Sequence, residues 1–227
     1  MKVKYLFAAY DQHITAIPNS AAIFEQSGMV NEFGKLDFGF FPLGSGILTD
    51  KSKIEEAEIE TCHIMILGND FGTQDYVENK CPDKKEKKTN STIKNLFSLD
   101  LKAEKTFFTN FFMGLRTGEK MVGKKTIQSD YENLCLSFFE TQLNLVKPKI
   151  VLCLGKEVEN TLSKLYFKEK LNANDLELKS FVNTDGVKFV LIPHPSYAHI
   201  NWKKDNMKEK IQMVVKEYPS VFSDFNA

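Results

Sequence analysis

The sequence predicts a three-layer α/β/α domain around a central, mainly parallel sheet, and three observations carry that expectation. Four short apolar runs, at 64–67, 106–109, 150–154 and 189–192, are β-branched or aromatic and lack helical periodicity. Amphipathic helical patterns alternate with them, as strands joined by crossover helices require. The 227 residues, 42% of them hydrophobic, are enough for one sizeable core and few for two, so a single domain spanning 1–227 is expected.

Each element follows in chain order. The amino-terminal portion, with Gly28, Gly34, Gly39, Gly44 and Gly46, reads as a helix followed by a loop-rich lead into the sheet. The first strand, Ile64 to Leu67, runs into Gly68-Asn69-Asp70-Phe71-Gly72. The segment at about 78–92 breaks the rhythm: it is poor in apolar residues and holds Lys80, Lys84, Lys85, Lys87 and Lys88 among Asp83 and Glu86. It reads as a lysine-rich insertion loop. The ordinary reading, a solvated surface insertion, is favoured over a cationic arm that meets phosphates.

The second strand, Thr106 to Thr109, ends at Asn110. A helix follows, with Ser129 and Glu132 at capping-box spacing and Tyr131, Leu134, Cys135, Phe138, Phe139 and Val146 on one face. Pro148 stops it. The third strand, Ile150 to Leu154, meets Gly155, and Val158, Leu162, Leu165 and Tyr166 mark the next helix. The fourth strand, Phe189 to Ile192, runs into His194-Pro195-Ser196, and Met207, Ile211, Val214 and Val215 mark a last helix.

Composition excludes little. Lys plus Arg equals Asp plus Glu at 30 each, so bulk charge neither advertises nor rules out a nucleic-acid partner. Cys62, Cys81, Cys135 and Cys153 form no CxxC pair, which points to free thiols in a reducing compartment and to no structural zinc. The apolar stretch after Lys4 is short for a secretory signal and for a membrane span, so a cytoplasmic protein is expected, with no membrane partner. Composition leaves the oligomeric state open.

Function should lie beyond the carboxyl ends of the strands, where loops of an open parallel sheet converge. There an Asp, an Asn and a His share one rim: Asp70, Asn110 and His194. Singly, each has an ordinary explanation, since Gly68 to Gly72 fits a strand-to-helix turn, Asn110 a cap, and Pro193-His194-Pro195 a stiff loop. Their coincidence at the strand ends is the stronger signal.

At these residues the chain resembles the uracil-DNA glycosylase superfamily. Ile66-Leu67-Gly68-Asn69-Asp70-Phe71-Gly72 resembles its first motif, Phe107-Phe108-Thr109-Asn110 the strand ending in its base-reading Asn, and Ile192-Pro193-His194-Pro195-Ser196 its second catalytic motif. Lys147-Pro148-Lys149-Ile150-Val151-Leu152-Cys153-Leu154-Gly155 is similar to the family's strand after its Pro, and the likeness runs in order over about residues 60–200. The resemblance implies that Asp70 and His194 are catalytic. It also implies that Asn69, Phe71, Gly72, Tyr76 and Asn110 line the base, and that Gly68, Gly155, Lys156, Pro195, Ser196 and Tyr197 meet DNA.

Departures accompany the likeness. Gly72 stands where the uracil-specific branch carries a thymine-excluding Tyr. Gly72 matches the iron–sulfur branch and Cys135 falls near one of its cluster cysteines, but Gly114 replaces another and the amino-terminal pair is missing, so neither a cluster nor another cofactor is expected. The segment that supplies the family's stacking Phe is replaced by the lysine-rich insertion, which leaves Phe71 or Tyr76 as substitutes.

In such a site Asp70 would orient water and stabilise a cationic sugar, His194 would hydrogen-bond the departing base, and Asn110 would read its polar edge. Ser196 would contact a phosphate, while Tyr197, His199 or Ile200 would wedge into the vacated space, with simple packing as the alternative for Tyr197 and Ile200. Trp202 reads as a partly buried anchor, with stacking on a base as the alternative. His13 and His63 read as structural.

The expected activity is therefore excision of uracil or a related deaminated base from DNA. The alternative is a nucleic-acid- or nucleotide-binding protein on the same scaffold with weak or lost catalysis, which the missing stacking Phe favours. An unrelated α/β hydrolase lacks support, because neither a GxSxG elbow nor a complete GxxxxGK[ST] phosphate loop occurs.

Overall fold

The computed structural model describes residues 3–30, 63–70, 72–73, 106–117, 128–168, 186–192, 212 and 215–216. Helices α1 (Val3–Ala16) and α2 (Ser20–Gln26) lead to strand β1 (Met29–Val30). Strands β2 (Ile64–Asp70) and β3 (Thr106–Phe112) follow, then β4 (Leu115–Arg116) and the long helix α3 (Ser129–Val146). Strand β5 (Ile150–Leu154), helix α4 (Lys156–Thr161) with its π-helical continuation over Leu162–Tyr166, and strand β6 (Lys188–Ile192) complete the described elements.

The central sheet has the order β3-β2-β5-β6, and every pairing in it is parallel. Its strands are apolar on both faces because both are covered: Ile64, Met65, Ile66 and Leu67 of β2, and Ile150 to Leu154 of β5, are all buried. This agrees with the α/β/α layering expected of the four apolar runs. The chain leaves β2 toward β3 but leaves β5 toward β6, in opposite directions across the sheet. The carboxyl ends of β2 and β5 therefore flank the topological switch point, where sheets of this kind bind ligands.

One face of the sheet packs on α3. Phe139 lies 5.3 Å from Phe111 and 6.5 Å from Phe189 between ring centroids, and Tyr166 of the π turn and Phe167 just after it close on Phe189 at 5.5 and 5.0 Å. On its other side α3 receives α1, where Tyr10 meets Phe138 edge-on at 4.8 Å. His13 is part of this packing: its ring nitrogen bonds the Leu134 carbonyl at 3.1 Å, the structural role expected of it. Burial pushes the hydroxyls of Tyr10 and Tyr131 and the Cys153 thiol up to values where they stay protonated.

Three sequence expectations need adjustment. β2 and β3 continue three residues past the predicted ends, to Asp70 and Phe112, because their parallel pairing persists through Gly68 opposite Asn110 and Asp70 opposite Phe112. The capping box of α3 does not form. Gln128 is the N-cap, with no side-chain cap bond; its amide donates to Ser27 Oγ at 3.3 Å, and Glu132 instead takes Lys164 at 2.6 Å. The amino-terminal portion contains two helices rather than one, plus β1, which pairs antiparallel with β4 in a ribbon separate from the main sheet. Of the expected last helix, Gln212, Val215 and Lys216 are described and helical, with Val215 against the core; its remainder lies outside the described residues. No helix among the described residues is long and apolar enough to cross a membrane.

Candidate functional site

The site grows from strand register. In β2 the side chains at 64, 66, 68 and 70 share one face; in β3 those at 106, 108, 110 and 112 share the same face, because Ile64 pairs with Thr106 and the register continues unbroken to Gly68 and Asn110. Asn110 and Asp70 therefore stand on one side of the sheet at its carboxyl edge. The alternate residues of β3 turn toward α3, where the Thr109 hydroxyl donates to Gln142 Oε1 at 2.7 Å.

Gly68 is what lets Asn110 occupy its place. A Cβ at position 68 would lie 2.1 Å from Asn110 Oδ1 and 3.2 Å from its Cγ, so any side chain there would push the amide aside. The half-buried Asn110 amide thus lies directly over the Gly68 backbone.

Asp70 is held at both carboxylate oxygens. Oδ1 accepts the Gly72 amide at 3.0 Å, the contact of an Asx-type turn. Oδ2 accepts from the Arg116 guanidinium at 2.5 Å and, weakly, from Asn69 Nδ2 at 3.4 Å. The two charged side chains are 6% exposed for Asp70 and 16% for Arg116, so the pair is largely withdrawn from water. Gly72 has φ 97°, a conformation that favours glycine, and its carbonyl in turn accepts the Arg116 amide at 2.9 Å.

Asn69 projects from the opposite face of β2 toward α4. Its Oδ1 accepts the Thr161 hydroxyl at 3.0 Å, and its Nδ2 also lies 3.4 Å from Glu157 Oε2. Across the switch point, Gly155 closes β5 with φ 87°, and its amide donates to the Ile192 carbonyl at 2.7 Å, joining the ends of β5 and β6. Lys156 opens α4 with its ammonium 2.5 Å from Glu159 Oε1.

Of the site residues expected from sequence, the structure thus brings Gly68, Asp70, Gly72 and Asn110 to one edge of β2 and β3. It puts Asn69 against α4, and Gly155 and Lys156 at the end of β5. Phe71, Tyr76, His194, Pro195, Ser196 and Tyr197 lie outside the described residues, as does the lysine-rich segment; β6 ends at Ile192, two residues before His194. Cys135 is buried, its sulfur 3.4 Å from the Met113 amide, and no group of three or more His, Cys, Asp or Glu suited to a metal occurs among the described residues.

Arg116 is the member of this constellation that sequence reasoning did not find. A signal was present: of the 30 cationic side chains, Arg116 is the single arginine. Its planar fork suits a fixed carboxylate partner in a way that a lysine ammonium does not.

A family model described as the uracil DNA glycosylase superfamily matches residues 58–216. It covers the whole main sheet and leaves α1, α2 and β1 outside. No curated relative matches the chain.

Proposed function

The chain belongs to the uracil-DNA glycosylase superfamily, and from that premise we propose that it is a monofunctional DNA glycosylase that hydrolyses the N-glycosidic bond of uracil or a related deaminated base flipped out of DNA. The observation that carries the reading is the single rim on which the Asn110 amide, cleared by Gly68, stands beside the fixed carboxylate of Asp70.

The chemistry follows from charge. As the bond between C1′ and the base nitrogen breaks, its electron pair leaves with the base and the sugar becomes cationic. The Asp70 carboxylate stabilises that cation and orients the water whose oxygen bonds to C1′; the water's proton passes to the carboxylate or to solvent, and the departing base takes up a proton. Asn110 offers an acceptor for the N3–H of uracil and a donor for its O4. A base with the reversed pattern leaves those groups unpaired, a penalty of roughly 1–3 kcal/mol.

His194 supplies the hydrogen bond to the base oxygen as negative charge gathers there. Two strand spacings, roughly 10 Å, separate β6 from β2, so this role needs the chain after Ile192 to cross the end of β5. Gly155, which presents no side chain at that end, is compatible with the crossing. Phe71 or Tyr76 takes the stacking role, Ser196 contacts a phosphate, and DNA is the partner.

A second reading, a binding protein with weak catalysis, is favoured by one observation: the Arg116 guanidinium offsets part of the negative charge that Asp70 would direct at the sugar. The deciding experiment incubates the protein with oligonucleotides carrying uracil, hypoxanthine, xanthine or a mismatched thymine and assays abasic sites. Excision is expected with at least one of them. DNA binding with no base release from any would select the second reading.

A further inference from the structure

The contacts around Asp70 close into a ring. Its Oδ1 accepts the Gly72 amide at 3.0 Å, the Gly72 carbonyl accepts the Arg116 amide at 2.9 Å, and the Arg116 guanidinium returns to Oδ2 at 2.5 Å. Thr73 forms an isolated bridge with Arg116, so the turn after β2 is fastened to β4 through backbone and side chain of one residue. β4 is only two residues long and does not belong to the main sheet; it is held by β1, with Met29 opposite Arg116 and Val30 opposite Leu115. Next to it the Gly28 carbonyl accepts both the amide of Thr117, at 3.0 Å, and its hydroxyl, at 3.2 Å. Gly28 does so at φ 61°, where a side chain is strained. Ser27 holds the start of α3 in the same way, through the Gln128 amide.

We infer that Arg116 is the positioning residue for Asp70, and that the amino-terminal segment preceding the family match is part of the site because it braces the strand that carries Arg116. This rests on the role given to Asp70 above. The inference follows from geometry. A carboxylate at the last position of a strand can rotate about two bonds, and catalysis by orientation requires that rotation to be stopped. Gly72 restrains one oxygen and Arg116 the other. A two-residue strand cannot hold an arginine in place by itself, since its own pairing is the minimum a ribbon can have. Burial of Met29 and Leu115, with the Gly28–Thr117 bonds, supplies the missing rigidity. The guanidinium also keeps the withdrawn carboxylate compensated, which an uncharged side chain at 116 would not do.

The test is a double-mutant cycle read by single-turnover base release at saturating DNA, with DNA affinity measured separately. The proteins are the parent, Arg116→Met, Arg116→Lys, Asp70→Asn, and Asp70→Asn combined with Arg116→Met. Arg116→Met is expected to lower the rate on bound DNA about tenfold while Kd stays within about twofold, and Arg116→Lys to recover part of the loss. In the Asp70→Asn background, Arg116→Met should change the rate by less than about twofold, because its route to the chemistry is already gone. Gly28→Val should lower the rate on bound DNA about threefold with Kd unchanged. If Arg116→Met does not fold, as judged by thermal unfolding, the cycle is run with Arg116→Lys.

A loss from Arg116→Met that is equal in both backgrounds overturns the positioning role, and so does weakened DNA binding with an unchanged rate, which would make Arg116 a phosphate contact. A Gly28→Val protein with the parent's rate overturns the part assigned to the amino-terminal segment. A parent that releases no base, or an Asp70→Asn protein as fast as the parent, removes the reading of Asp70 itself and this inference with it.

Discussion

Two withdrawn polar pairs lie on neighbouring strands, and they differ in kind. Thr109 and Gln142 meet at 2.7 Å where β3 packs on α3; both are neutral and buried, and Gln142 also reaches Met113 Sδ at 3.9 Å. Asp70 and Arg116 meet at 2.5 Å at the carboxyl edge, both charged, each also bound to the turn at Gly72. A neutral pair in a core satisfies two polar groups and fixes how helix and sheet meet. A withdrawn ion pair is a poor device for stability alone, because desolvation consumes most of the Coulombic gain. It stands at a strand end, on the same side of the sheet as Asn110, where the proposed function needs a fixed carboxylate. The two pairs are thus distinguished by charge and position rather than by burial.

The largest expected effect breaks the rim side of this contrast. Asp70→Ala should slow single-turnover base release by about a hundredfold, about 2.7 kcal/mol of barrier, with DNA affinity little changed. A mutant as fast as the parent would move Asp70 from the chemistry into the scaffold.

The core side is tested by stability. Gln142→Leu leaves the Thr109 hydroxyl only a long contact to the Asn110 carbonyl at 3.5 Å and should cost about 2 kcal/mol in chemical denaturation, while base release per folded molecule stays at the parent's rate. Adding Thr109→Val should restore most of that loss, since both polar partners are then gone. A double mutant no more stable than Gln142→Leu would mean that the pair contributes through something other than mutual satisfaction.

The smallest effect sharpens the comparison within the rim. Gly68→Ala should leave stability almost unchanged, because the atom in the way is the end of a movable side chain, yet it should lower base release roughly tenfold, about 1.4 kcal/mol, by displacing the Asn110 amide. Unchanged release and unchanged preference among bases would show that the amide over Gly68 does not read the base.

The parts legible in the sequence were those encoded by contiguous residues. Ile150 to Leu154 could be read as a strand because a strand buried on both faces must be apolar at every position. The buried face of α3 followed from helical spacing, and Tyr131, Leu134, Cys135, Phe138, Phe139 and Val146 are all buried. The capping box failed because two local partners were outcompeted: Ser27 and Lys164 come from 101 and 32 residues away. β1 and β4 left no mark, since two residues carry no period.

Residue types at the strand ends placed Asp70 and Asn110 on one rim, and that much needed only the order of strands and the rule that such sheets bind at their carboxyl edge. Which side chains face the same way there depended on register, since a shift of one residue would have turned Asn110 toward α3 and Thr109 toward Gly68. The clearance over Gly68 and the ring through Gly72 and Arg116 likewise arise between segments as much as 46 residues apart. Local propensity and hydrophobic pattern are properties of short stretches of chain and can be read from them. A contact between two strand ends exists only once backbone pairing has brought them together, so although the lone arginine stood out in the sequence, its pairing with Asp70 was decided by the tertiary structure.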